Sequence, residues 1–227
     1  MNIYNMHPQP TERAKSIFQG VCVDAKFGRT LSNEENNVRK FILTQSPALG
    51  RIPSIDEIRK AFTQFPNEKI NTLLNNLDQL DVIHLDDDKT AIAAAYPFSG
   101  SETPHIVTLK GERSKKIYAM CAIDALGICF MLNCDLSIES ACYHCGESIE
   151  IEIKNNEIIS MMPENIAVWC DAEYSCCAAT SVCRNWNFFS SEQHFIEWKK
   201  EKNGRKGKLL QIGEAFYLGK LFFSNRI

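Results

Sequence analysis

The sequence contains no run of about 20 apolar residues, the length that a membrane-spanning helix needs. Its most apolar stretch, residues 117–132, is shorter and carries an acid, Asp124. The opening residues, MNIYNMHPQPTERAKS, lack the apolar centre of a secretion signal. No glycine-rich phosphate loop and no internal repeat occur. A surplus of positive charge is missing as well: 25 Lys+Arg stand against 28 Asp+Glu, for a net −3. Overall charge therefore draws the chain toward neither nucleic acid nor an anionic membrane. These absences lead us to expect a soluble, cytoplasmic protein.

Cysteine, by contrast, is plentiful. There are ten, and without an export signal they are expected to remain thiols rather than disulfides. Cys22 stands apart, and the other nine fall between Cys121 and Cys183. Thiol chemistry or soft-metal binding therefore belongs to the second half of the chain. With 227 residues, 44% of them hydrophobic, the chain has room for one large domain or two small ones.

Local signals divide the chain into three parts. Residues 1–32 read as an arm or short helix. Ser32 with Glu35, and Ser54 with Glu57, are capping boxes that open two helices, the first ending near Ser46-Pro47. After Pro66, Ile70, Leu73, Leu74, Leu77 and Leu80 share one face of a third helix. The stretch VIHLDDDKTAIAAAY reads as a hairpin around an acidic turn. Three helices and a hairpin make residues 33–97 a winged-helix-like module. Over residues 1–90 there are 11 Lys+Arg and 12 Asp+Glu, and the third helix offers Lys69 as its one base. That is poor equipment for DNA, and a structural or lid role fits better.

Residues 98–227 form the second domain. HIVTL reads as a strand and 117–132 as a helix. Strand patterns follow in DLSIESACY, SIEIEIK, EIISMM and NIAVWC. Ser190 with Gln193 caps a helix over SEQHFIEWKKEK, the loop KNGRKGK follows, and IGEAFYLGKLFF closes the chain. The fold class is α+β: a winged-helix-like three-helix module packed on a domain of short mixed or antiparallel strands with flanking helices.

The segment IYAMCAIDALGICFML sets Cys121 and Asp124 three residues apart, on one face of a helix. A buried cysteine needs no further explanation, since the thiol behaves as a small hydrophobe. A carboxylate in apolar surroundings does, because burial is costly unless the group is paired, hydrogen-bonded or used. A thiol and a carboxyl side by side can exchange a proton.

YAMCAIDALG resembles the signature of the organomercurial (alkylmercury) lyase family, in which a cysteine and an aspartate three residues on form the catalytic pair. YPFSGSETPHIV upstream, CRNWNFFSSEQHFIEW downstream and the closing IGEAFYLGKLF are also similar to that family, over roughly residues 35–223. The resemblance implies cleavage of a carbon–mercury bond by two cysteine thiolates and an aspartate proton donor. Anchored on Phe188-Phe189, it assigns the second cysteine to Cys183, with the Cys176-Cys177 doublet as rival. Cys121, Asp124 and Cys183 would then hold the metal. Met120 stands where well-studied members have a tryptophan, and Arg184, Asn185 and Asn187 replace histidines found in some. The alternative is a non-catalytic soft-metal (mercury, copper or zinc) binding or sensing protein, with a DNA-contacting winged helix. The implied partners are an organomercurial substrate and a cytosolic thiol or mercuric reductase that accepts Hg(II); no membrane or nucleic acid is expected.

ACYHCGES presents one CxxC pair, Cys142 and Cys145. A structural zinc site would need two more ligands, for which Cys134, Cys170, Cys176 and Cys177 are candidates. No second clean CxxC exists, so we expect no required cofactor and Hg(II) only as bound product. Structural zinc, a metal-relay or substrate-capture pair, and unpaired thiols all remain open readings. His7, His84, His105, His144 and His194 are scattered and read as surface or packing residues. Trp169, Trp186 and Trp198 read as core or pocket wall.

Overall fold

Serine caps open the N-terminal helices where the sequence places them. The fold comes from a computed structural model that describes residues 5–21, 31–111, 115–171, 178–202 and 206–227. Helix α1 spans Glu12–Gly20 and is capped by Thr11. Helices α2 (Asn33–Leu49) and α3 (Ile55–Ala61) begin in the Ser32/Glu35 and Ser54/Glu57 capping boxes. Helix α2 runs past the expected stop at Pro47. The Ser46 hydroxyl donates to the Ile42 carbonyl at 2.7 Å, and the Gly50 and Arg51 N–H groups both close on the Ser46 carbonyl. Those bonds carry the last turn past the N–H that Pro47 cannot supply.

Helix α4 (Asn67–Gln79) buries Ile70, Leu73, Leu74 and Leu77. Leu80 lies beyond its last turn and is exposed. Strands β1 (Ile83–Leu85) and β2 (Ile92–Ala95) form the expected hairpin, and β3 (Phe98–Ser99) adds a third antiparallel strand. The Asp86 carboxylate accepts from the Thr90 and Ala91 N–H groups, so this acid builds the turn.

A five-stranded antiparallel sheet follows, in the order β5-β4-β6-β7-β8. Its strands are β4 (Ile106–Leu109), β5 (Lys116–Tyr118), β6 (Leu136–Ala141), β7 (Ser148–Lys154) and β8 (Glu157–Met162). The segment 117–132, expected as one helix, is split. Ile117 and Tyr118 pair with β4 as an edge strand, and helix α5 is Ala122–Leu132, with Cys121 as its N-cap. β-Branched and aromatic residues suit the strand, and a polar side chain at the cap starts the helix.

The third sheet, β10-β9-β11, is also antiparallel; β9 is Ala167–Asp171, β10 Asn187–Phe189 and β11 Gly207–Gln211. Strand β11 begins inside the expected loop KNGRKGK, at Gly207 and Lys208, and runs on to Gln211. Helix α6 (Glu192–Glu201) is capped by Ser191, not Ser190: the Ser191 hydroxyl accepts from the His194 N–H. Helix α7 (Ile212–Phe223) packs on α5. The two helices meet glycine to glycine. A Cβ on Gly219 would lie 3.0 Å from the Gly127 nitrogen, and one on Gly127 would strike the Phe223 ring at 2.1 Å. This close approach sets Phe222 and Phe223 beside the start of α5. Among the described residues, no helix is long and apolar enough to cross a membrane.

Candidate active site

Cys121 caps α5 with its own side chain. Its sulfur accepts the Asp124 N–H at 3.4 Å, while its thiol donates to Asp124 Oδ2 at 2.9 Å. Asp124 lies in the first helical turn, where the helix dipole favours a negative charge. Cys183 opens a short 3₁₀ turn, Cys183–Asn185. The two sulfurs and a carboxylate oxygen of Asp124 lie within 4.8 Å of one another. All three residues are buried, Cys121 at 1%, Asp124 at 5% and Cys183 at 6% exposure. Burial pushes the Cys121 thiol well above its usual range, and hydrogen bonding to Cys183 and the charge of Asp124 push the same way. At rest, then, Cys121 keeps its proton and leans it on the carboxylate.

Backbone bonds and one buried network hold this arrangement. The Ala122 N–H donates to the Trp186 carbonyl at 3.0 Å, and the Cys183 N–H to the Ala178 carbonyl at 2.9 Å. The helical module reaches in through Asp81 and Tyr96. The Tyr96 hydroxyl donates to Asp81 Oδ1 at 2.8 Å, and it accepts the Ala179 N–H at 2.9 Å. The Asp81 carboxylate accepts the Ala178 N–H, with 3.0 Å to its nearer oxygen. The loop that carries Cys183 is thus gripped by residues about a hundred positions upstream. No spacing in the sequence singled out Asp81 or Tyr96, because the contact exists only in the fold.

A cavity of about 40 Å³ lies against the three residues, walled by Tyr96, Val182, Trp186, Phe222 and Phe223. Beyond Cys183 a larger cleft of about 500 Å³ opens, lined by Met120, Tyr143, Thr180, Arg184 and Asn187. Cys183 borders both spaces. Cys183 therefore stands between a small apolar pocket and the outer cleft. His105 is enclosed near this cleft, its Nδ1 2.9 Å from Ser140 Oγ. Burial lowers its pKa to about 4, against a smaller upward pull from Asn187.

The structure brings Cys121, Asp124 and Cys183 together. The rival doublet Cys176-Cys177, and Cys22, lie outside the described residues. The seven described cysteines are thiols. Cys134 and Cys170 do not join the CxxC pair, but His194 does, a meeting the sequence did not anticipate. Trp169, Trp186 and Trp198 are buried, with Trp186 on the pocket wall.

Comparison with known proteins gives one consistent answer. The alkylmercury lyase family model matches residues 98–224. Alkylmercury lyases of Bacillus cereus and Clostridium butyricum are each 28% identical over 180 residues, covering 79% of this chain and 78% of theirs. The lyase of Staphylococcus epidermidis is 25% identical over 161 residues, or 70% of each chain. The crystal structure of the mercury-bound form of MerB2 has the same fold, with a TM-score of 0.73 at 23% identity, covering 94% of this chain and 100% of that one.

Proposed function

Because the chain belongs to the alkylmercury lyase family, we propose that it cleaves the carbon–mercury bond of organomercurials by protonolysis. Cys121 and Cys183 would hold the metal, and Asp124 would supply the proton. The observation that carries this reading is the burial of two sulfurs and one carboxylate within 4.8 Å of one another.

Mercury(II) is soft and prefers sulfur. An organomercurial enters as its thiol complex, R–Hg–SR′, through the cleft bordered by Cys183. Cys121 takes the metal, and its proton passes to the Asp124 carboxylate 2.9 Å away. Cys183 then binds, and its proton leaves on the displaced R′SH. Two thiolates on mercury load the carbon–metal bond with electron density. Asp124, now a carboxylic acid, delivers its proton to carbon. RH departs and Hg(II) remains between the two sulfurs, so both thiol protons are accounted for. The apolar walls keep water from competing for the proton and accommodate the organic group.

No other metal or cofactor is needed in this scheme. The product ion would pass to a small thiol or to a mercuric reductase, and the reducing cytoplasm would keep both cysteines unbridged. The test is to incubate the protein with a phenylmercury salt and excess thiol, and to follow benzene by gas chromatography. Catalytic release of benzene is expected. Stoichiometric mercury uptake without hydrocarbon would overturn the reading.

A further inference from the structure

Two of the described cysteines lie apart from this chemistry, on a turn of their own. Cys142 and Cys145 flank Tyr143-His144, and Gly146 completes the bend at φ 76°, where L side chains are strained. The Cys142 N–H donates to the Glu147 carbonyl at 2.8 Å, and the Gly146 N–H to the Cys142 carbonyl at 2.9 Å. Facing this turn is the first turn of α6. His194 Nδ1 lies 3.5 Å from Cys145 Sγ and 3.9 Å from Cys142 Sγ. A carboxylate oxygen of Glu147 is 3.8 Å from the same nitrogen.

The two sulfur–nitrogen separations are close to an edge of a coordination tetrahedron. With zinc–sulfur bonds of about 2.3 Å and zinc–nitrogen bonds of about 2.0 Å, neighbouring sulfur and nitrogen ligands stand about 3.6 Å apart. The two elements are also held in place without an ion. The Tyr143 ring meets Trp198 of α6 edge-on at 5.7 Å, and the Tyr143 N–H donates to the Phe188 carbonyl at 2.9 Å. Trp198 in turn packs on Trp169 and Phe189.

We propose that Cys142, Cys145 and His194 form a second metal site, which takes a zinc-type divalent ion in tetrahedral coordination. Two sulfurs and an imidazole suit a thiophilic ion and exclude magnesium and calcium, which require oxygen donors. Cys142 is buried and Cys145 exposed, so the ion enters from solvent, and the fourth position falls to Glu147 or water. Ser190 Oγ lies 2.6 Å from His194 Nδ1. The ion would take that place on the nitrogen, leaving the hydroxyl free to donate to the Cys142 sulfur, its other neighbour. Bound there, the ion clamps the turn to α6, a tie the reaction at Cys121 does not require.

The experiment uses the full chain, reduced, stripped with a chelator and titrated with Co²⁺. One equivalent should give the intense absorption of tetrahedral cobalt–thiolate, and one equivalent of Zn²⁺ should bleach it. Cys145→Ser is the discriminating variant, because its side chain is exposed and its loss leaves the core intact. It should weaken cobalt binding at least tenfold and abolish the rise in Tm on adding zinc, whereas Cys121→Ser should retain both. Absence of the band in the reduced wild type would overturn the proposal. So would a band that survives Cys145→Ser and disappears in Cys121→Ser, which would place the ion in the catalytic pocket.

Discussion

Cys121 and Cys142 are both almost fully enclosed, at 1% and 3% exposure, yet their thiols are displaced in opposite directions. Around Cys121, burial, the neighbouring Cys183 and the charge of Asp124 all oppose ionisation, and the thiol is pushed far up. Around Cys142, burial also opposes ionisation. There, however, the Ser190 hydroxyl and backbone donors at Ser190, Cys145 and His144 outweigh it and bring the pKa down to about 7. Burial alone does not decide the state of a thiol; the supply of hydrogen-bond donors to the thiolate does. The contrast suits two tasks. In the proposed reaction, the dry site would hold a proton until a soft ion displaces it and then return that proton to carbon. The proposed second site would have only to present sulfur to an ion, and a thiol near neutrality does so without a proton store.

The largest way to break this contrast is Asp124→Asn. The amide keeps the shape of the pocket but can neither take the thiol proton nor deliver it as an acid. Hydrocarbon release should fall by about 10²–10⁴-fold, the usual worth of a positioned general acid, while tight mercury binding persists. Undiminished turnover in this variant would remove Asp124 from the reaction.

Burial beside the outer cleft leaves a second mark, in acid stability. His105 is buried and held near a pKa of about 4, against 6.5 for an ordinary imidazole. Below pH 6.5 the unfolded chain takes up this proton and the folded chain refuses it until about pH 4. Stability should therefore be intact above pH 6.5 and decline as the pH falls toward 4. The loss from this residue is about 3 kcal/mol, from ~1.4 kcal/mol per pKa unit. Urea unfolding of wild type and His105→Gln at pH 7 and pH 4.5 checks it. The glutamine variant should lose less stability between the two conditions, and an equal loss would show that His105 is not the group responsible.

How far the sequence reaches follows the range of the interactions. Capping boxes at Ser32 and Ser54 and the apolar face of α4 are encoded within one or two turns, and they appear as read except that Leu80 lies past the end of α4 and is exposed. The Cys121–Asp124 pair is equally local, three residues on one helical turn. Short-range signals also mislead where a side chain can serve two structures. Apolar Ile117 and Tyr118 fit a helix by hydropathy but pair as an edge strand, and Ser46 rescues a turn that Pro47 should end. Long-range meetings left no pattern to read. Cys183 came to Cys121 through family resemblance, not spacing. His194 approaches Cys145 across 49 positions, and Asp81 grips Ala178 across 97. Sheet pairing and helix docking create those contacts, and no periodicity of 2 or 3.6 records them.

The smallest expected effect sharpens the comparison at its open end. Ser190 has one hydroxyl proton and two neighbours that can accept it, His194 Nδ1 at 2.6 Å and the Cys142 sulfur. As Cys142 ionises, the hydroxyl gains by turning to the thiolate, since a bond to a charged acceptor is the stronger. Ser190→Ala removes that donor and leaves the backbone ones. The charged form loses support, so the pKa of Cys142 should rise from about 7 toward the ordinary 9. A shift of about one unit, or ~1.4 kcal/mol, corresponds to one such bond. Thiolate absorbance in the ultraviolet, followed through pH in metal-stripped wild type and variant, reads it as a difference between the two curves. An unmoved midpoint would mean that the backbone of the turn alone holds the thiolate. The Cys121 thiol should add nothing to either curve through pH 9, because burial, Cys183 and the charge of Asp124 all hold it in the protonated form.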